Sequence, residues 1–449
     1  MGVTEAEGPL ADVRVLDLTR LLPGGFCSQM LADFGAEVIK VEDTGLGDYV
    51  RWAPPYYGGE EHQAGGTRSA LYLSLNRNKR SIRLDLKQDA GREALLRLVV
   101  GCDVVLESFR PGVLDRLGVG YERMRAVNPG LVYCAITGYG QTGPNRDRAG
   151  HDQNYLALNG ILGLTGTPPG TAAAAPGTTG AASDTTGGAL PDSRPALAGA
   201  QIADVAGGAM QAAFGVMAAL HERRRSGEGQ LVDVSMTDGS LAMLAMVAGQ
   251  YLCDGELPRR GEGQLTGASL CYLPYEAADG WVSCGALEPK FWAAFCAGVE
   301  RPDLIEKQFE RPGGEAWREV AAIFRSRSRA EWQAFNDEHD CCIEPVLELD
   351  QVTGSELTRE REMVVEWEQP RLGTVRQLGI PVKLSRTPGR VRAPAPALGE
   401  HTREVLAESG LDSATIDSML ATGAAAGPPD DAGDSDTAGA GSAAPDLRF

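Results

Sequence analysis

The first 140 residues alternate short strand-like runs with helical patterns, and this alternation limits the fold more than any other feature of the chain. VRVLDL at 13–18 reads as a strand, followed by a loop at Leu22-Pro23-Gly24-Gly25, a helix over 26–34 and a second strand, EVIKVE, at 37–42. SIRLDL at 81–86, a helix over 91–100, DVVLES at 103–108 and LVYCAIT at 131–137 continue the pattern. Strands separated by helices predict βαβ units around a parallel sheet, an α/β fold. Ligands of such sheets sit beyond the carboxyl ends of the strands, so the chemistry is expected in the loops there.

The rest of the chain is less regular. Its 449 residues allow two or three domains. A large domain is expected over 1–233, interrupted by a flexible insertion at 166–199 that is small, Pro/Gly/Thr-rich and without period. A helix over 204–225 ends at Ser226-Gly227. A linker is expected over 234–270, a smaller α+β domain over 271–375 and a Pro-rich return segment over 376–420. From 421 the chain is rich in Ala, Gly, Pro and Asp, which predicts a disordered tail over 421–449.

Composition excludes several classes. Against 42 basic residues stand 61 acidic ones, a net charge of −19, which repels phosphate backbones and argues against nucleic acid as a partner. The first residues lack a basic start and an apolar stretch, and the longest apolar run, near 241–247, is too short to span a bilayer. A cytoplasmic protein without membrane insertion is therefore expected. The nine cysteines are scattered, with no C-x-x-C spacing, so neither a disulfide framework nor a metal site is indicated.

Several constellations carry possible chemistry, each beside a plainer reading. GYGQTG (138–143) matches G-x-G-x-x-G after a strand, but Pro144 and a polar stretch follow in place of an apolar helix, so dinucleotide binding is weakly indicated. Arg77, Lys79, Arg80, Arg83 and Lys87 lie within eleven residues holding one acid, Asp85. With Arg110 and Arg116 they form either an anion pocket or a solvated basic face. His151 stands at the start of an apolar helix, where it is either a cap or a histidine kept neutral by the helix dipole. Asp204, before Ala206-Gly207-Gly208, reads as an N-cap, or as an acid beside glycines that admit a ligand. Glu288 precedes Pro289 in a plain cap pattern. Met236, Met243 and Met246 recur at roughly helical spacing and read as core.

Taken together, ADFGAEVIKVE, LDLK (84–87), SFRPGV (108–113), GYGQTGP, AGHDQNYLALNG, the Asp204-x-x-Gly-Gly helix, SGEGQLVDVSM and GALEPKFW resemble the family III CoA-transferase superfamily. More narrowly, the motifs around His151, Asp204 and Glu288 resemble its α-methylacyl-CoA racemase branch. The resemblance runs from about Gly8 to about Gly410. It implies a Rossmann-like large domain, a smaller domain, a chain that returns to the large domain, and two chains interlocked as a homodimer. It also implies an acyl-CoA substrate and no separate cofactor. Leu84, Asp85, Leu86, Lys87, Ser108, Phe109, Arg110, Arg116, Gly150, Asp152, Asn154 and Tyr155 would hold CoA.

In the racemase reading His151 and Asp204 exchange the α-proton of a 2-methylacyl-CoA on opposite faces of an enolate. Glu288 orients His151 and steadies its protonated form, and N–H groups near Asp204 steady the enolate oxygen. One alternative is a CoA-transferase in which Asp204 is the nucleophile. A second is a CoA-ester-binding protein without catalysis. The sequence departs from the racemases at Asp43, where an arginine for CoA phosphate is common, at Gln153 and at Thr266.

Overall fold

The computed structural model describes residues 8–59, 68–167 and 195–429. Most of the expected insertion (168–194) and the tail from 430 onward lie outside the described residues. The chain forms two compact units. The first takes in the chain to Asn159, Ala200–Met243 and the chain from Leu357; the second takes in Gly160–Gly199 and Leu244–Glu356.

Six strands follow one another in the first unit: β1 (Arg14–Asp17), β2 (Glu37–Glu42), β3 (Lys79–Leu84), β4 (Val104–Glu107), β5 (Val132–Thr137) and β6 (Leu231–Ser235). The second unit holds β7 (Tyr272–Ala277), β8 (Gly280–Gly285) and β9 (Ile343–Pro345). The chain then returns through the hairpin β10 (Val364–Gln369) and β11 (Gly373–Leu378) and ends on β12 (Ala425–Ala426).

The main sheet has seven strands in the order β12-β3-β2-β1-β4-β5-β6. β1 to β6 are parallel, and 3-2-1-4-5-6 is the Rossmann order, with its switch point between β1 and β4. β4 and β5 are buried along their whole length, as parallel strands covered on both faces must be. Leu16, Ile39, Ile82, Val105 and Tyr133 form one core with Leu95, Leu98 and Val99 of the helix Asp89–Val100. Each fully buried aliphatic side chain there contributes about 1.5–3 kcal/mol.

Several boundaries differ from expectation. The loop expected at Leu22-Pro23-Gly24-Gly25 is the first turn of the helix Leu21–Asp33, where proline is tolerated because its missing N–H has no partner to lose. Gly24 is required there, since a Cβ would lie 2.1 Å from that of Thr19. The stretch expected as an irregular linker forms the helices Met236–Leu241 and Ala245–Asp254. The β10–β11 hairpin, which the expected boundary between the small domain and the return segment at 375/376 divides, belongs whole to the first unit: Val375 is buried with Tyr72 and Leu73, and Gln377 donates to the Leu73 carbonyl at 3.0 Å. Residues 421–426, expected in the tail, complete the helix Ser413–Thr422 and pair antiparallel with β3. Small side chains fit against that edge, and Ala424 and Ala425 are fully buried.

In the second unit the antiparallel sheet β7-β8-β9 packs on an aromatic core of Trp292, Phe295, Phe324, Trp332 and Phe335. Tyr275 stacks on Phe324 with ring centroids 4.3 Å apart, and the Trp332 indole N–H donates to the Phe324 carbonyl at 2.9 Å.

Among the described residues one continuous helical stretch, Ala203–Ser226, is long and apolar enough to cross a membrane by length and composition alone. In this fold Ala209, Ala212, Val216, Ala219 and Leu220 are buried, and the helix ends on Arg223–Arg225 before Gly227 at φ +80°.

Candidate active site

The loop after β5 leads into a seven-residue helix, Asp152–Leu158, with His151 at its N-cap. The His151 N–H donates to Asn154 Oδ1 at 2.9 Å, which fixes the chain entry and leaves the imidazole exposed. Tyr155 lies buried beneath, its hydroxyl donating to the Gly150 carbonyl at 2.6 Å. A Cβ on Gly138 or Gly150 would meet this ring at 2.5 or 2.6 Å, so both glycines exist to let the ring in. Burial raises the Tyr155 phenol well above its ordinary range.

Asp204 does not cap a helix, as its sequence context suggests. It lies in the first turn of a π-helical segment, Ala203–Met210, that continues into the helix Gln211–Ser226. Such segments are rare and recur at functional sites, because an extra residue per turn reorients side chains. The Asp204 backbone N–H donates to Asp152 Oδ1 at 3.0 Å, so Asp152 joins the His151 turn to Asp204. Burial, and then the charge of Asp152, push the Asp204 carboxyl up to about 6.

That hydrogen bond corrects one expectation. The Asp204 N–H is taken by Asp152, and the Val205 N–H by the Gln201 carbonyl at 2.9 Å, so neither is free for an enolate oxygen. The glycines beside Asp204 serve packing: a Cβ on Gly207 would lie 2.7 Å from the Met236 carbonyl oxygen, and one on Gly208 2.9 Å from the Met236 side chain. Met236 is core as expected, whereas Met243 and Met246 are exposed.

Glu288 belongs to the second unit. It occupies the N-cap of the helix Pro289–Gly298, as its cap pattern predicts, but its carboxylate is exposed and makes no capping bond.

The basic run behaves differently from either of its sequence readings. Arg77 is buried on Asp33 at 2.7 Å, and Lys79 on Asp17 at 3.3 Å. Arg80 binds Glu37 at 2.8 Å and Glu404 at 2.9 Å, and Arg83 donates to the carbonyls of Thr44, Gly45 and Gly427. Four of the five cations therefore tie the sheet to neighbouring segments, and only Lys87 is exposed. A charge run on a central strand is drawn inward because alternate side chains enter opposite buried faces.

Of the other expected CoA residues, Leu84 is core, Asp85 and Leu86 are half-buried, and Ser108 and Phe109 lie at the switch point. There the Ser108 hydroxyl oxygen accepts from the Arg20 N–H at 3.1 Å. Arg110 and Arg116 are exposed. Asp43 binds the Arg20 guanidinium at 2.6 Å, so the carboxylate standing where an arginine is common holds an arginine from the end of β1. In GYGQTG the Gln141 N–H donates to the Asp233 carboxylate at 3.0 Å, a negative group where a pyrophosphate would need a positive one. Beside it, Tyr139, Arg148, Ala149, Asn154, Ala157 and Leu158 line an open depression of about 530 Å³.

The sequence reading missed Glu107. This acid ends β4 and is almost wholly buried, and its carboxyl is pushed up to about 7 by burial, while its Oε2 accepts the Phe109 N–H at 2.7 Å. An acid closing an apolar strand, as in DVVLES, was the available signal.

A family model described as CoA-transferase family III matches residues 10–402. A succinyl-CoA:mesaconate CoA-transferase of Haloarcula marismortui is 34% identical over 91% of this chain and 98% of its own. The α-methylacyl-CoA racemase of Mus musculus is 34% identical over 91% and 95%, and such racemases follow the transferases in strength of match. Among solved structures, a CAIB/BAIF family protein from Brucella suis superposes with a TM-score of 0.72 at 29% identity, covering 90% of this chain and all of that one.

Proposed function

The chain belongs to CoA-transferase family III, and from that premise we propose that it transfers coenzyme A between carboxylic acids, with Asp204 as the nucleophile. The observation that carries the reading is the placement of Asp204, a half-buried carboxylate in the first turn of a π-helical segment, with its backbone N–H held by Asp152. Burial pushes the carboxyl up to about 6, which still leaves it ionised for attack at neutral pH. A racemase was the first expectation from the sequence; the transferase relatives favour the alternative.

In the proposed cycle the Asp204 carboxylate attacks the thioester carbonyl of the donor, forming a mixed anhydride and expelling CoA thiolate. The thiolate attacks the aspartyl carbonyl, which releases the donor acid as a carboxylate and leaves an aspartyl-CoA thioester. The acceptor carboxylate repeats the two steps in reverse, forming its own CoA ester and restoring Asp204. Atoms and charge balance with no other reactant. The name of the Haloarcula relative makes succinyl-CoA the donor to try first, with a short dicarboxylate as acceptor.

Incubation with succinyl-CoA followed by hydroxylamine, with peptide mass spectrometry, tests the reading. Aspartyl hydroxamate at Asp204 is the expected product; unmodified Asp204 together with no CoA exchange across a panel of acids would refute it.

One observation keeps racemisation as a second reading. His151 and Asp204, which proton exchange on two faces would need, are linked within one unit through Asp152. Uptake of α-deuterium from deuterated water by a 2-methylacyl-CoA would favour that reading. Glu288 as the partner of His151 belongs to it too.

A cytoplasmic homodimer is part of the same proposal. Met210, Phe214 and Met217 form an exposed apolar stripe, Phe214 being 73% accessible, which supports a protein partner for that face. Sedimentation equilibrium at the mass of two chains is the expected result.

A further inference from the structure

The proposed cycle gives no task to Glu107, which closes β4 and is 5% accessible. Among the described residues it makes no ion pair. The charged groups that face it are acids: Asp115 of the one-turn helix Val113–Arg116 and Asp233 of β6. A buried carboxyl group without a cation carries a desolvation cost that an apolar side chain of the same size would not.

What the carboxyl group does is local. β1 and β4 pair as far as Asp17 and Leu106, and the Leu18 N–H donates to the Leu106 carbonyl at 2.8 Å. Past that bond the chain leaves the sheet, and side chains take over from backbone partners. The Phe109 N–H donates to Glu107 Oε2 at 2.7 Å, two residues back, much as an aspartate accepts the N–H of a turn. From β5 the Tyr133 hydroxyl bonds to the same carboxyl group. The corner fixed in this way sets two side chains against the end of β1. The Ser108 hydroxyl oxygen accepts the Arg20 N–H at 3.1 Å, and the Phe109 ring centroid lies 5.7 Å from the Arg20 guanidinium carbon. Glu107 thus joins the ends of the two strands that flank the switch point, where ligands of this fold bind.

We propose that Glu107 is a positioning residue: its carboxyl group sets the Ser108–Phe109 corner and so holds the ends of β1 and β4 in the spacing that the ligand meets. It acts through the Phe109 N–H and needs no ligand contact of its own. That the ligand is a CoA ester rests on the reading above. The role is one of accepting hydrogen bonds, not of carrying charge. An amide at the same place therefore keeps it, and an apolar side chain of similar shape loses it.

Glu107→Leu, Glu107→Gln and Tyr133→Phe in the full chain test this, by amide hydrogen exchange over residues 108–112 and calorimetric titration with CoA. E107L is expected to exchange those amides faster and to bind CoA about 10- to 100-fold more weakly, the scale of one hydrogen bond to a charged group. E107Q restores both. Y133F, which removes the other donor and leaves the Phe109 bond, lowers the thermal midpoint and changes neither. Unaltered exchange at 108–112 in folded E107L overturns the assignment, and so does faster exchange with unchanged CoA affinity. No rescue by E107Q, or a loss of affinity in Y133F as large as in E107L, also overturns it, since charge or general loosening is then the cause. Should E107L fail to fold, Glu107→Ala, whose smaller side chain admits water to the stranded donors, replaces it under the same criteria; failure of both makes Glu107 a folding residue and overturns the assignment. Should wild type bind no CoA, the acyl-CoA reading fails and exchange alone decides: faster in E107L and restored in E107Q supports the corner, and unaltered exchange overturns it.

Discussion

Replacing Asp204 by asparagine removes the nucleophile and, on the same physical grounds, stabilises the protein. Burial and Asp152 raise the Asp204 carboxyl from 3.8 to about 6, so the folded state favours its neutral form. A group raised in this way contributes stability that is fully present below the unfolded value and is lost as pH rises through the folded one. The loss amounts to about 3 kcal/mol once both states are ionised, of which about 1–1.5 kcal/mol accrues between pH 5 and pH 8. The asparagine amide carries no charge, so Asp204→Asn escapes that loss. Its advantage over wild type should grow with pH up to about 7 and then level off. Urea unfolding at pH 5, 6, 7 and 8 measures it, with CoA exchange from succinyl-CoA followed in parallel. Exchange should fall by at least about 10³-fold, because the amide cannot form the aspartyl thioester. A stability difference that is flat in pH would refute the electrostatic account, and retained exchange would remove Asp204 from the chemistry.

Three further outcomes follow from the same geometry. The rate kcat/KM for exchange should climb about tenfold per pH unit below about 6 and flatten above it, as Asp204 ionises; a decline above pH 6 would instead mark the protonated acid as the working form. Arg77→Met breaks the buried pair with Asp33 and should cost about 3–5 kcal/mol of unfolding free energy, with CoA affinity unchanged in calorimetry; weaker CoA binding by the folded variant would return Arg77 to the ligand site. Gly207→Ala drives a methyl to 2.7 Å from the Met236 carbonyl oxygen and should cost about 1–3 kcal/mol in urea titration; unaltered stability with lost exchange would mean that the glycine serves ligand approach and not packing.

The alternation of strands and helices was written in the sequence because parallel strands covered on both faces carry runs of β-branched and other apolar residues: LVYCAIT contains β5, and EVIKVE is β2 residue for residue, with Val38, Ile39 and Val41 buried beside its charged Lys40 and Glu42. The helix stop at Ser226-Gly227 was legible for a local reason, the left-handed φ at Gly227. The motif order likewise carried the family. What the sequence could not supply was where charges point and which distant segment meets them. The β3 cations read as a basic face, yet Asp17, Asp33 and Glu37, each more than forty positions upstream of its partner, are what they bind. Asp204 read as a cap, and only the fold reveals a π-helical turn whose N–H is held by Asp152 and whose carboxyl is raised by burial. The edge pairing of Ala425–Ala426 with β3 had no signal in a small-residue segment, since backbone hydrogen bonds carry no side-chain pattern. Local propensity and periodicity are properties of neighbours in the chain, whereas desolvation and charge pairing belong to neighbours in space, and folding alone decides those.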